Sequence, residues 1–238
     1  MRTTGHKVLI TGGATGIGLA LAQRFHKAGN QVIVVGRGKT ALDTASAHLP
    51  GVVSRVGDVS DPAHRSRLVE EFEDISVLVN NAGIQRNGAF STMSASEIES
   101  ELAINLAAPV MLCHAFLPHL VQRPEAAIVN VSSVLAIAPK ESAAIYCASK
   151  AALHSFSRTL RWQLERTQVR VFEVLPALVD TAMTAGRGKG KISPDAVAAE
   201  FWAGFQADRT EIFVGKAKAA KFINRLSPAL AERIIRPT

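Results

Sequence analysis

With 238 residues, 47% of them hydrophobic and 20% charged, the chain is long enough for one buried core and has the balance of a soluble globular protein. Its net charge of +7 admits nucleic acid, an anionic membrane or an acidic substrate as partner, but aromatics are only 5% and no nucleic-acid motif is present, so nucleic acid is set aside. No apolar run is read as long enough to span a bilayer, Val8-Leu9-Ile10 stops at Thr11-Gly12 before a secretory leader can form, and Cys113 and Cys147 make neither a metal spacing nor a disulfide framework, which suits a cytoplasmic protein.

Strand-like runs rich in β-branched residues occupy 7–10, 31–35, 52–56, 75–79, 127–131, 169–174 and 211–214. Nearly all are apolar on both faces, as parallel strands covered by helices on each side must be. Segments of helical length lie between them at 18–28, 39–48, 62–72, 96–120, 146–166 and 194–208. A β-α order kept through residues 1–238 predicts one α/β domain on a doubly wound, mostly parallel seven-stranded sheet.

Two stretches depart from the alternation. Gly186-Arg187-Gly188-Lys189-Gly190-Lys191 reads as a mobile basic loop, and it is not a P-loop because Ile192 follows the last lysine. Residues 216–236 predict a helical extension in which Ser227-Pro228 can cap a second helix. From Arg187 onward ten basic residues face five acidic ones, so this region carries +5 of the net +7. A subunit or membrane-surface contact is open for that tail, with packing on the body the plainer reading.

Chemistry concentrates at the ends of the strand runs. Gly12, Gly16 and Gly18 fall in the first strand-to-helix turn with the spacing T-G-x-x-x-G-x-G, where glycine lets the backbone approach a pyrophosphate and the helix start offers unpaired amides. Tyr146, the only tyrosine, precedes Lys150 by one helical turn, so phenol and ammonium share a face and a positive charge can favour the phenolate. Cys147, adjoining Tyr146, points about 100° away from it and reads as packing.

The glycine turn Thr11 to Gly18, Asn80-Asn81-Ala82-Gly83, Asn105, Ser133, Tyr146 with Lys150, and Pro176 with Thr181 together resemble the short-chain dehydrogenase/reductase family, in its short single-domain branch, over nearly the whole chain. The stretch 176–236 also resembles the DltE-like group of that family, a label from genomic company that names no substrate. The resemblance implies a Rossmann-type fold, homodimeric or homotetrameric assembly, and Tyr146 as general acid or base for a small, largely apolar carbonyl or secondary alcohol. It implies that Lys150 lowers the tyrosine pKa and holds the ribose hydroxyls, that Ser133 hydrogen-bonds the substrate oxygen, and that Asn105 holds a water. Thr11, Gly12, Thr15, Gly16, Ile17, Gly18, Val59, Asn81, Ala82, Gly83, Pro176, Val179 and Thr181 are expected at the cofactor, with residues about 182–193 as the substrate loop. Asp58 is expected to accept from the adenine amino group, although either it or Asp61 can cap the helix starting near Pro62. Ala177 departs from the family's usual glycine.

Cofactor choice falls to the end of the second strand. An acidic residue there binds the ribose diol and repels a 2′-phosphate; this position is Gly36, and Arg37 follows, so NADP(H) is expected over NAD(H). Arg37 stacking on adenine, which would serve either cofactor, is the alternative. The substrate pocket is expected between 134–139, 84–86, 177–179 and 184–191, with Arg86 and the loop lysines facing solvent. A noncatalytic NADP(H)-binding regulator is the competing reading, disfavoured by the full Asn105, Ser133, Tyr146 and Lys150 set; an epimerase or dehydratase is disfavoured by glycine spacing and the short C-terminal region.

Overall fold

The β-branched runs fold as expected into one sheet whose inner strands are apolar on both faces. In a computed structural model, which describes residues 1–236, the strands are β1 (Lys7–Thr11), β2 (Gln31–Gly36), β3 (Val53–Val56), β4 (Val77–Asn80), β5 (Ala126–Val131), β6 (Val169–Pro176) and β7 (Glu211–Val214). Their order is β3-β2-β1-β4-β5-β6-β7, with every pairing parallel. The chain works outward from β1 to β3, crosses back, and continues from β4 to β7. That reversal opens a crevice at the carboxyl ends of β1 and β4, where open α/β sheets bind ligands.

Helices cover both faces. Phe25 of α1 (Gly16–Lys27), Leu42 of α2 (Lys39–His48) and Phe201 and Phe205 of α7 (Pro194–Gln206) pack against Val8, Ile10 and Phe172 on one side. Leu68 of α3 (Pro62–Glu71), Phe116 of α5 (Ala108–Leu120) and Leu160 of α6 (Ala144–Gln163) pack against Leu9, Leu78 and Ile128 on the other. Each fully buried Leu or Phe contributes about 1.5–3 kcal/mol of transfer free energy, so these two layers hold the strand ends that carry the site.

Several expectations change in detail. Val52 and Ile75 are buried but precede the paired residues, so β3 and β4 begin later than expected, while β4 reaches Asn80. The helix expected over 96–120 is α4 (Ala95–Leu102) and α5 joined by a π-helical turn, Ala103–Ala107. Pro109 has no amide hydrogen to donate to the carbonyl four residues back, that of Asn105, which is sufficient reason for the α ladder to fail there. The segment 95–120 has the length and apolarity to cross a membrane by composition alone, but its Ala108, Leu112 and Phe116 are core residues.

The C-terminal extension forms α8 (Ala217–Leu226) and α9 (Pro228–Ile235), and the Ser227 hydroxyl accepts from Leu230 N at 3.3 Å, the cap anticipated from Ser227-Pro228. The last described turn is tied to the body by Arg236, whose Nε donates to Glu141 Oε2 at 2.9 Å while its carbonyl accepts from Glu141 N at 3.1 Å.

Candidate active site

The glycines of the first turn are fixed by geometry. Gly12 and Gly16 have φ of 62° and 53°, in the left-handed region that favours glycine. A Cβ on Gly18 would collide with the Gly12 carbonyl and the Asn81 amide, and one on Gly16 would press to 3.1 Å from the Thr181 methyl. The turn is thus a tight cradle closed by Asn81 and Thr181, with no room for side chains, and Gly12, Thr15, Gly16 and Ile17 at the start of α1 line an open cavity.

Neighbouring loops clamp the cradle. Thr11 Oγ1 accepts from Asn81 N at 3.0 Å and Ala82 N at 3.1 Å, while Asn81 Nδ2 donates to the carbonyls of Thr11 at 3.0 Å and Gly12 at 3.1 Å. The side chains of Thr11 and Asn81 therefore bind β1 to β4. Asn80 Nδ2 donates to Asn130 Oδ1 at 2.9 Å, and Asn130 Nδ2 donates to Ser157 Oγ at 2.9 Å, a buried polar ladder running from β4 through β5 to α6. Sequence reasoning missed Asn130 and Ser157; polar residues inside apolar strand and helix faces were the available signal.

Across the crevice, Ser133 follows β5, and Tyr146 and Lys150 share a buried face of α6. Lys150 Nζ donates to the Val131 carbonyl at 2.8 Å and lies 5.7 Å from the Tyr146 ring centre. Burial pushes the tyrosine up to about 12, with the Glu101 charge adding to it and the Ser133 hydroxyl and Arg187 charge opposing. Burial likewise takes Lys150 down to about 8, against the pull of Glu173. Burial is thus the largest influence on both groups, acting against the phenolate and against the ammonium. Glu173 is wholly buried on β6, and its Oε2 lies 2.7 Å from His154 Nδ1. Neither Glu101 nor Glu173 was singled out from the sequence, because isolated acidic residues there look like ordinary surface positions.

Asn105 sits in the π-helical turn. Its Oδ1 accepts from Ile84 N at 2.9 Å, and its Nδ2 donates to Ile84 O at 2.9 Å and Ser149 Oγ at 3.2 Å. Both amide hydrogens of the side chain are thereby donated to protein groups. At the far end, Asp61 caps α3 by accepting from Ala63 N at 3.0 Å. Asp58 instead accepts from Ser60 N at 2.9 Å and Ser60 Oγ at 2.7 Å, and its Oδ2 lies 3.6 Å from Arg37 Nη1. Burial would raise the Asp58 carboxyl, yet the Ser60 donors and Arg37 hold it below its ordinary value.

A cavity of about 1180 Å³ joins these parts. Gly12, Thr15, Gly16, Ile17, Asn81, Ala82 and Gly83 line it, together with Ser133, Tyr146, Lys150, Pro176, Val179 and Thr181. Thr11, Gly18, Arg37, Asp58, Val59 and Asn105 lie outside its wall. Among the described residues no cluster of His, Cys, Asp and Glu could hold a metal ion.

Residues 6–191 match the family model described as short chain dehydrogenase. The chain belongs to the short-chain dehydrogenase/reductase family. It is 47% identical over 189 residues to the uncharacterized oxidoreductase DltE of Bacillus subtilis (strain 168), a match covering 77% of this chain and 75% of that protein, which puts it in the DltE-like group. Its fold is similar to a short chain dehydrogenase from Burkholderia cenocepacia J2315 in complex with NADP, at TM-score 0.90 and 28% identity over 100% of both chains. It is also similar to a short chain dehydrogenase/reductase from Burkholderia phymatum in complex with NAD, at TM-score 0.87 and 25% identity, covering 100% of this chain and 98% of that one.

The outer wall of this short-chain dehydrogenase cavity differs from expectation. Val134, Leu135, Gln85 and the 177–179 segment line it as expected, but Ile84 and Arg86 do not. Arg86 turns toward α4, with its amide donating to Glu101 Oε1 at 3.2 Å and its Nε 3.5 Å from Glu97 Oε1. Ile223, Ala231 and Ile234 of the C-terminal helices complete the wall, so the tail packs on the body as part of the pocket. Nor is the basic loop loose at its base: Asp180 N donates to Ile192 O at 2.8 Å and Ile192 N to Leu178 O at 3.1 Å.

Proposed function

We propose that this dehydrogenase is an NADP(H)-dependent carbonyl reductase, or the reverse secondary-alcohol dehydrogenase, acting on a small and largely apolar substrate. The observation that carries it is the convergence of Ser133, Tyr146 and Lys150 on the same cavity as the glycine cradle.

The cradle fits a dinucleotide, since its glycines keep the backbone bare where neighbouring protein leaves no room for side chains, and Gly12, Thr15, Gly16 and Ile17 line the cavity at the start of α1. Gly12, Thr15, Gly16 and Ile17 would hold the pyrophosphate, and Val179 and Thr181 the nicotinamide end; when bound, the cofactor supplies or takes the hydride. Tyr146 then delivers or removes the proton at the substrate oxygen, and Ser133 donates a hydrogen bond to that oxygen as charge develops. A tyrosine held neutral by burial is a competent acid for reduction. Lys150, tied to Val131, supplies positive charge as the phenolate forms. The Asn105 carbonyl, deprived of its α-helical donor by Pro109, is the group suited to hold a water on the path from Lys150 to solvent.

Gly36 and Arg37 support NADP(H) over NAD(H), because the second strand ends without a carboxylate and with an exposed guanidinium. Two free buried thiols fit a cytoplasmic setting, and assembly as a homodimer or homotetramer completes the reading. The test is a screen of ketones, aldehydes and secondary alcohols with both cofactors, followed by nicotinamide absorbance. Cofactor binding without turnover of any of them would favour the noncatalytic regulator.

A further inference from the structure

The basic residues around the cavity fall into two sets. Those directed away from it have partners: Lys191 Nζ donates to Thr184 O at 2.7 Å and lies 3.4 Å from Asp180 Oδ1, Lys218 Nζ lies 2.5 Å from Glu200 Oε2, and Lys221 Nζ lies 3.4 Å from Glu211 Oε2. Besides Lys150, those lining it, Lys140, Arg187, Lys189 and Lys216, make no ion pair among the described residues. No described Asp or Glu lines the cavity at all. The four come from three separate segments, the 138–143 connection, the 184–191 loop and the start of α8, so their convergence follows from the fold and not from one charged run.

Lys140 and Arg187 are half-buried, and Lys189 and Lys216 stand exposed around them. Beside them the wall is apolar, with Leu135, Leu178, Ile223 and Ile234. Cations kept together without counter-ions in a partly desolvated wall repel one another, an arrangement that a bound anion relieves. Burial and the Arg187 charge both press on the Lys140 ammonium. Arg187 also acts on Tyr146, so the cationic wall stands near the reaction centre.

We propose that Lys140 and Arg187, with Lys189 and Lys216 at the rim, form an anion subsite for the substrate. The substrate is then an amphipath, with an apolar body carrying the carbonyl or alcohol and a carboxylate or phosphate head. This rests on the carbonyl-reductase reading of the same cavity. It narrows the role of the 186–191 loop to Arg187 and Lys189, because Lys191 is bonded within its own loop.

The test uses the full chain with saturating NADPH. Methyl-ketone carboxylates of graded chain length are compared with their primary amides, and with phosphate-headed ketones of matched length. The expected kcat/KM favours the anionic member of a pair by about tenfold, the size of one charge-assisted contact, and the preference shrinks at high salt. In Lys140→Met/Arg187→Met the loss for the carboxylate exceeds the loss for its amide by the same factor. Carboxylate and phosphate series then tell which head is taken. A ratio near one in the unmodified protein, or one that survives the double substitution, overturns the subsite. So does a loss of NADPH affinity as large as the loss for the acid, which would assign these cations to the cofactor. If no ketone is reduced, the reductase reading fails by itself. Thermal-shift titration of the NADP-bound protein with decanoate and decanamide then decides the subsite: tighter binding of the acid, abolished by the double substitution, supports it, and equal binding overturns it.

Discussion

Lys150 holds its ammonium 5.7 Å from the centre of the Tyr146 ring while donating to the Val131 carbonyl, so the lysine is anchored to the end of β5 and not to the phenol. Tyr146 and Lys150 can therefore be altered separately. Tyr146→Phe removes the hydroxyl and little volume, and is expected to lower kcat about a hundred- to ten-thousand-fold with cofactor affinity nearly unchanged. Lys150→Ala is expected to damage both, through the lost charge and the lost anchor. Steady-state rates and a cofactor titration on each variant check this; a Tyr146→Phe protein with near-normal kcat ends the proton-donor role.

The buried ammonium also has a thermodynamic signature. Its fall from 10.5 to about 8 means that between these pH values the native state has lost a proton that the unfolded state still binds. Unfolding free energy contributed by this group therefore rises with pH across that window, by about 3 kcal/mol in all. Lys150→Met removes the slope. Denaturant unfolding at pH 7 and pH 10 is expected to show wild type gaining on the variant as pH rises, and parallel pH dependences would refute the burial penalty.

Cofactor preference should turn on two adjacent positions. A Cβ on Gly36 meets only Leu42, at 3.8 Å or more, so a carboxylate fits there without strain. Gly36→Asp/Arg37→Ala adds repulsion toward a 2′-phosphate and removes the guanidinium that now faces Asp58. NADP(H) affinity is expected to fall by tenfold or more, at about 1.4 kcal/mol per tenfold, and NAD(H) to become preferred. Fluorescence titration with both cofactors measures it; tighter NAD(H) binding by the unmodified protein would reverse the assignment.

Gly18 and Gly36 make a matched pair of backbone tests. Gly18→Ala forces a methyl into the Gly12 carbonyl and the Asn81 amide, neither of which can move without opening the Thr11 clamp. A loss of about 1–3 kcal/mol in stability is expected, together with loss of cofactor binding. Gly36→Ala, whose methyl would make only ordinary contact with Leu42, is expected to change stability by less than about 0.5 kcal/mol. Thermal unfolding of the two variants side by side distinguishes a packing constraint from a general need for glycine.

Much of the fold was legible because its signals are local. Apolar runs such as Val32 to Val35 are covered on both faces and alternate with helical segments, a pattern that parallel strands require. Gly12 and Gly16 were readable because left-handed backbone strongly favours glycine, and the Tyr146 to Lys150 spacing because a helical turn puts both on one face. What depends on separation along the chain was not. The pull of burial on Tyr146 and Lys150 needs the depth of α6 in the fold, and the tie from Lys150 to Val131 crosses 19 residues. The wall of the cavity is set by α8 and α9 folding back beside the 138–143 connection, which brings Lys216 and Ile234 near Lys140 and Arg187. Composition told only that the C-terminal region is basic; which of its cations find carboxylates and which face an apolar cavity is decided by tertiary packing, because an ion pair depends on distance in space and on how much water the fold leaves between the charges.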